Sequence, residues 1–213
     1  MISLKSLGVN KLTKIKICGL KCEDDILYAN KLKPDYVGFV FAKSKRQIDK
    51  YIAKKLITKL DKNIKTVGVF LNNSVDTVKE IAEFCELDII QLHGDEPPEY
   101  CNFFDREVWK AFRVKTKESF KNLKHYNANG YLLDTYTKEA YGGTGKAFNW
   151  SLASKISKEK FIILAGGLSE NSIDKAIDIV KPAVVDVSSG VETNGSKDFD
   201  KMERFIGKVR MII

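Results

Sequence analysis

Eight short runs of β-branched and apolar residues recur along the chain at near-even intervals, and no other feature restricts its fold so tightly. They lie at residues 15–18, 36–41, 66–71, 87–92, 108–112, 130–134, 161–165 and 183–187. Each is almost continuously apolar rather than alternating, as in strands covered on both faces of a parallel sheet. Parallel strands need long crossovers, and segments of helical periodicity fill the intervals. Residues 74–85 put Val75, Val78, Ile81, Ala82 and Cys85 on one stripe behind a capping Ser74. Residues 169–180 do the same with Ile173, Ala176, Ile177 and Val180, opened by Ser169 and followed by Pro182. Residues 23–32, 48–60 and 198–210 are further amphipathic candidates, and 97–105, 117–123 and 149–156 are shorter ones. Eight strands alternating with eight helices, at about 27 residues per unit, predict an α/β chain folded as a single (β/α)8 TIM barrel. An open doubly wound sheet usually has five or six strands, and its G-x-G-x-x-G after the first strand is missing. The barrel is assigned to residues 14–213, with residues 1–13 as an N-terminal extension.

Charge and cysteine usage narrow the function classes. The chain carries 36 Lys+Arg against 28 Asp+Glu, a formal net charge of +8. Lysine dominates and is spread along the whole length beside acidic residues, unlike the clustered basic and aromatic surface of a nucleic-acid binder. No run approaches a membrane span, and lysines interrupt the first residues where a signal peptide would be apolar. Cys18, Cys22, Cys85 and Cys101 show no repeating spacing, which favours a reducing, cytoplasmic setting. With only His93 and His125 beside them, a metal site is disfavoured. A small anionic substrate is expected, with neither nucleic acid nor membrane as partner, and a monomer or homodimer as the assembly.

Barrel chemistry sits on the loops at the C-terminal ends of the strands, and polar and Gly-rich residues gather there. Gly166-Gly167 and Ser188-Ser189-Gly190 follow the seventh and eighth strands, where barrels commonly hold phosphate on backbone N–H groups. The alternative is that these glycines only turn the chain. Residues 141–145, containing Gly143 and Gly145, are either a mobile cover or a surface loop. Arg46 offers a planar fork for a carboxylate, against the alternative of a solvated charge; Arg113 carries the same ambiguity. Cys18 is either a small buried hydrophobe or a base. Asp134 closes an apolar run that would raise its pKa and suit it to general acid chemistry. His93 is either a third polar member or a structural histidine.

Together these segments resemble the phosphoribosylanthranilate isomerase family of tryptophan biosynthesis. The similarity is carried by Lys16-Ile17-Cys18-Gly19, Ser44-Lys45-Arg46, Gln91-Leu92-His93-Gly94, Leu132-Leu133-Asp134, Tyr141-Gly142-Gly143-Thr144-Gly145-Lys146, Gly166-Gly167-Leu168 and Val185-Asp186-Val187-Ser188-Ser189-Gly190-Val191-Glu192, with the runs at 37–41 and 67–70. The resemblance implies a cofactor-free Amadori rearrangement, with Asp134 as general acid and Cys18, as thiolate, as general base. It implies that Arg46 holds the anthranilate carboxylate and that Gly166, Gly167, Ser188 and Ser189 hold the phosphate. It further implies that His93, Asp186, Gly143 and Gly145 line the substrate. A thiolate base needs a lowered pKa, which a neighbouring phosphate opposes; Cys18 is therefore expected across the mouth from the phosphate loops. The family's first strand usually starts within the first few residues, whereas here it begins near residue 15.

Three other readings compete. An indole-glycerol-phosphate synthase would place catalytic Lys and Glu residues on early strands, where this chain has Cys18. A pentose-phosphate epimerase would need paired Asp and metal-binding His residues, and only two histidines exist. A non-enzymatic basic binding protein would show salt-dependent retention on nucleic acid.

Overall fold

Strand alternation sends Lys16 and Cys18 to one face of the first strand and Ile15 and Ile17 to the other, and the fold follows from where those faces go. The computed structural model of the chain describes residues 12–135 and 149–212. Eight strands close into one barrel: β1 (Lys14–Cys18), β2 (Tyr36–Val40), β3 (Lys65–Phe70), β4 (Ile89–Leu92), β5 (Glu107–Val114), β6 (Gly130–Thr135), β7 (Ile162–Leu164) and β8 (Val184–Val187). Every neighbouring pair is parallel, and β1 meets β8 with Lys16 opposite Asp186 and Ile17 opposite Val187. The expected fold is therefore the observed one.

Among the described residues five α-helices cover the outside: α1 (Glu23–Leu32), α2 (Lys50–Ile57), α3 (Val75–Phe84), α4 (Ile173–Val180) and α5 (Phe199–Met211). Ser74 caps α3 as its sequence suggests, accepting from Thr77 N. Asp49 caps α2, accepting from Tyr51 N, so that helix starts at Lys50 rather than at residue 48. Ser169 does not open α4; the Ser172 hydroxyl accepts from Ser169 N, and residues 169–172 form a turn ahead of the helix. The three weaker helical candidates are 3-10 turns instead, at Pro98–Phe103, Lys117–Phe120 with Leu123–His125, and Trp150–Leu152 with Ile156–Lys158. The crossover from β4 to β5 is too short for a full α-helix once the loop bearing His93 has been built.

Two apolar layers result. The outward strand faces pack on the helices, with Ile17, Phe39 and Val185 against residues such as Ala29, Ala176 and Phe205. Inside, Tyr36, Val67, Ile89, Trp109, Leu132 and Ile163 fill the barrel from the early positions of the strands, so the lower half is a solid core. Above it the interior turns polar, and Lys16, Gln91, Asp134 and Asp186 are all buried. Among the described residues no helix is long and apolar enough to cross a membrane. All four cysteines are free thiols.

Candidate active site

The polar layer starts on β1. Lys16 is fully buried, and its ammonium sits 3.0 Å from Asp186 Oδ2 on β8. Burial pulls the Lys16 pKa down, but Asp186 and the nearby Cys18 outweigh it, so the group stays above its usual range as a cation. Two residues on, Cys18 faces the same interior. The side chain of a residue larger than glycine at position 38 would lie 2.8 Å from Cys18 Sγ and 3.2 Å from Lys16 Nζ, so Gly38 leaves the room in which thiol and ammonium meet. Burial pushes the Cys18 thiol up, with Lys16 and Lys197 pulling the other way. The lowered thiol expected from chemistry is thus not what these surroundings give: dehydration of the sulfur exceeds the pull of the cations.

A second cluster adjoins the first. Arg46 Nε and Nη2 donate to the two carboxylate oxygens of Glu192 at 2.7 and 2.8 Å, and Lys197 Nζ lies 2.7 Å from Glu192 Oε1. Burial alone would raise the Glu192 carboxyl; hydrogen bonds from Arg46 and Lys197 hold it down to about 2. Burial lowers Lys197, opposed by Glu192, and the pair remains ionic because the carboxyl is so acidic. A short hairpin builds this pair: β9 (Glu192–Thr193) and β10 (Ser196–Lys197) set Lys197 opposite Glu192. Its turn, Asn194-Gly195, has φ of 52° and 79°, the left-handed geometry of a two-residue type I′ connection.

Asp134, the penultimate residue of β6, is 6% exposed. Its Oδ1 accepts from Thr135 N at 2.7 Å, and its Oδ2 lies 3.5 Å from His93 Nε2. His93 Nδ1 is 2.9 Å from the Gln91 amide, so His93 stands between a buried amide and the Asp134 carboxylate. The loop beneath His93 is clamped from outside the barrel by the buried pair of Lys110 and Glu96, 3.1 Å apart. Lys110 also donates to Gly94 O at 2.8 Å, and Gly94 N donates to Glu96. Gly166, with φ of 83°, passes so close that a Cβ there would lie 2.7 Å from Asp134 Oδ1. Gly190 presses its Cα side on Leu168 O, where a Cβ would come within 1.9 Å. The loops after β7 and β8 therefore touch, with their backbones forming one surface.

The structure brings Cys18, Asp134, His93, Asp186, Gly166, Gly167, Ser188 and Ser189 to the upper mouth, on the arc β6–β7–β8–β1 with β4 opposite. Two expectations need correction. Cys18 is not across the mouth from the phosphate loops: closure makes β8 its neighbour, and the Ser188 hydroxyl donates to Cys18 O at 2.8 Å. The Ser188 hydroxyl also lies 3.4 Å from Glu192 Oε1, so its one hydrogen is shared among neighbours. Arg46 is no free fork, since Glu192 takes two of its five N–H donors, leaving Nη1 for a second carboxylate. Asp186 is held on Lys16 through Oδ2, while Oδ1 is buried without a hydrogen-bond partner among the described residues. Arg113 pairs with Asp95 at 2.8 Å. Gly143 and Gly145 lie outside the described residues, as does the loop at 141–145. Lys16 and Glu192 stand in the family-like segments but are given no role by the sequence, and Lys197 lies outside those segments. The available signal for the last two was Asn194-Gly195, whose two-residue turn fixes the cross-strand partner of Glu192.

Among the described residues no group of three or more His, Cys, Asp or Glu side chains is arranged to hold a metal ion. What the mouth does offer is an acid, a thiol, an arginine edge and a pair of abutting backbone loops. A family profile for N-(5'phosphoribosyl)anthranilate (PRA) isomerase matches residues 15–208. The chain belongs to this family. An N-(5'-phosphoribosyl)anthranilate isomerase of Thermoanaerobacter sp. (strain X514) is 56% identical over 202 residues, covering 94% of this chain and all of that protein. The isomerase of Clostridium acetobutylicum is 49% identical over 202 residues, covering 93% of this chain and 98% of its own. The crystal structure of phosphoribosyl anthranilate isomerase from Thermotoga maritima superposes with a TM-score of 0.85 at 35% identity, covering 93% and 98% of the two chains. A phosphoribosyl anthranilate isomerase solved with reduced 1-(O-carboxyphenylamino)-1-deoxyribulose 5-phosphate gives a TM-score of 0.82 at 33% identity, with the same coverage.

Proposed function

We propose that this chain catalyses the Amadori rearrangement of N-(5-phosphoribosyl)anthranilate to 1-(2-carboxyphenylamino)-1-deoxyribulose 5-phosphate in tryptophan biosynthesis, by general acid–base catalysis. Asp134, protonated, donates to the ribose ring oxygen; the C1–O bond breaks and an iminium forms. Cys18, as thiolate, removes the C2 proton; the C–H electron pair forms the C1=C2 double bond of an enolamine, and the iminium C=N pair returns to the nitrogen. Tautomerisation then gives the ketone. Gly166, Gly167 and Ser189, with the backbone of Ser188, hold the phosphate; Arg46, oriented by Glu192, holds the anthranilate carboxylate through its remaining donors. His93, Gly143, Gly145 and Asp186 line the sugar.

The observation that carries this reading is the pairing of two buried groups, Cys18 at the end of β1 and Asp134 at the end of β6, on either side of the abutting loops after β7 and β8. A phosphate seated on those loops puts the attached sugar between an acid and a base. A fluorescence assay following freshly prepared phosphoribosylanthranilate tests it. Cys18→Ala and Asp134→Asn should each abolish turnover while retaining affinity for the reduced product analogue. Near-parental turnover in either variant removes that residue from its role.

A further inference from the structure

The general base proposed above has a difficulty that the barrel interior itself resolves. Cys18 is buried, and a dehydrated thiol resists ionisation. Four charged groups act on its sulfur from the surrounding elements: Lys16 from its own strand, Asp186 from β8, Lys197 from the hairpin and Arg46 from the loop after β2. Arg46 and Lys197 are both committed to Glu192, Arg46 by two hydrogen bonds and Lys197 at 2.7 Å. Lys16 is different. It is fully buried and bound to one oxygen of Asp186, whose other oxygen has no hydrogen-bond partner among the described residues, and its ammonium shares with the sulfur the space beside Gly38.

We propose that Lys16 is the positioning residue for the Cys18 thiolate, an ammonium held charged in the core by Asp186 and shared between that carboxylate and the sulfur. The proposal rests on Cys18 being the base, and it adds the group that makes a buried thiolate tenable. The charges balance through the reaction. Before proton transfer, one ammonium serves two anions, Sγ and Asp186. When the substrate C–H bond breaks and the S–H bond forms, the sulfur becomes neutral and Lys16 returns to Asp186 alone. The carboxylate thus has a second use: it stops the buried Lys16 from shedding its proton while the sulfur is neutral. The distances beside Gly38 put thiol and ammonium within the roughly 4–6 Å over which an opposite charge favours ionisation.

Loss of the ammonium should move the Cys18 titration itself, which a merely structural role would not do. Thiolate formation is followed by ultraviolet absorbance against pH on the full chain, with the Cys18→Ala chain as the blank for Cys22, Cys85 and Cys101. In Lys16→Met the Cys18 thiolate should appear at higher pH, with about a tenfold smaller thiolate fraction at neutral pH for each pKa unit. The acid limb of the kcat/KM profile should move with the titration. An unchanged Cys18 titration in folded Lys16→Met overturns the proposal. If Lys16→Met does not fold, the Lys16→Met/Asp186→Asn double variant, which removes both members of the pair and strands neither charge, decides by the same criterion. Absence of isomerase turnover in the parent chain would overturn the proposed reaction, while the thiolate titrations would still test the Lys16–Cys18 coupling.

Discussion

Removing the charge of Glu192 tests the electrostatics of the mouth most directly. Its side chain is 9% exposed and receives three charge-assisted hydrogen bonds, two from Arg46 and one from Lys197, whose own side chain is 1% exposed. In Glu192→Gln those cations lose their counter-charge. Each pKa unit is worth about 1.4 kcal/mol, so a carboxyl moved from 4.5 to about 2 implies about 3 kcal/mol of stabilisation. Arg46 is 21% exposed and solvent screens its share, which brings the figure to about 2–3 kcal/mol. The full loss typical of a broken buried pair, about 3–5 kcal/mol, is not reached, because the orphaned Lys197 can release its proton. At about 2–4 °C per kcal/mol for a domain of this size, the variant should melt about 5–10 °C below the parent at neutral pH.

The pH dependence has a definite sign. Unfolded glutamate ionises near 4.5, whereas folded Glu192 keeps its charge down to about 2. Its contribution is complete above pH 4.5 and fades as the pH falls from there towards 2. Denaturant unfolding of parent and variant should therefore differ on the order of 2–3 kcal/mol near neutral pH, with the gap narrowing below about pH 4 and closing near pH 2. Melting temperatures within about 1 °C of each other at neutral pH, or a gap that persists unchanged at low pH, would refute the reasoning.

Gly190→Ala drives a Cβ to within 1.9 Å of Leu168 O, a backbone atom that can yield only if the two loops part. It should raise KM for the phosphorylated substrate at least about tenfold and cost about 1–3 kcal/mol in thermal unfolding. Gly38→Ala places a methyl 2.8 Å from Cys18 Sγ, so kcat should fall by an order of magnitude or more with KM little changed, as steady-state kinetics will show. Lys110→Met strands the buried Glu96 carboxylate and should destabilise the chain by about 3–5 kcal/mol, whereas the Lys110→Met/Glu96→Gln double variant should recover much of that loss in denaturant melts.

The parts visible in the sequence are those whose position along the chain carries the information. A strand covered on both faces must be apolar throughout, so the runs ending at Cys18, Leu92 and Asp134 mark both the barrel and its reactive end. Arg46 stands out because lysine is the prevailing cation. The role of Lys16 is hidden for the same reason: although it stands in a family-like segment, it is one lysine among many, and its inward direction becomes known only when the barrel closes. Glu192 and Lys197 depend on a fold-back of the chain. Periodicity is silent there, although Asn194-Gly195 records the turn. The 3-10 turns after β4 and β5 carry an apolar spacing like that of helices, and only the short crossovers reveal the difference.

The bonds that join Lys16 to Asp186 and Ser188 to Cys18 span 170 residues of sequence, across the seam where the first and last strands meet. Such contacts form late, because the whole intervening chain must be ordered before its ends can be brought together. An N-terminal fragment carrying Cys18, Arg46 and His93 would have the residues of half a site but neither the carboxylate that keeps Lys16 charged nor the hairpin that aims the arginine. A nascent chain on the ribosome is in the same condition until Lys197 has emerged. Turnover in a refolding experiment is therefore a clock for one event, the zipping of the seam, and should lag behind the recovery of helical signal.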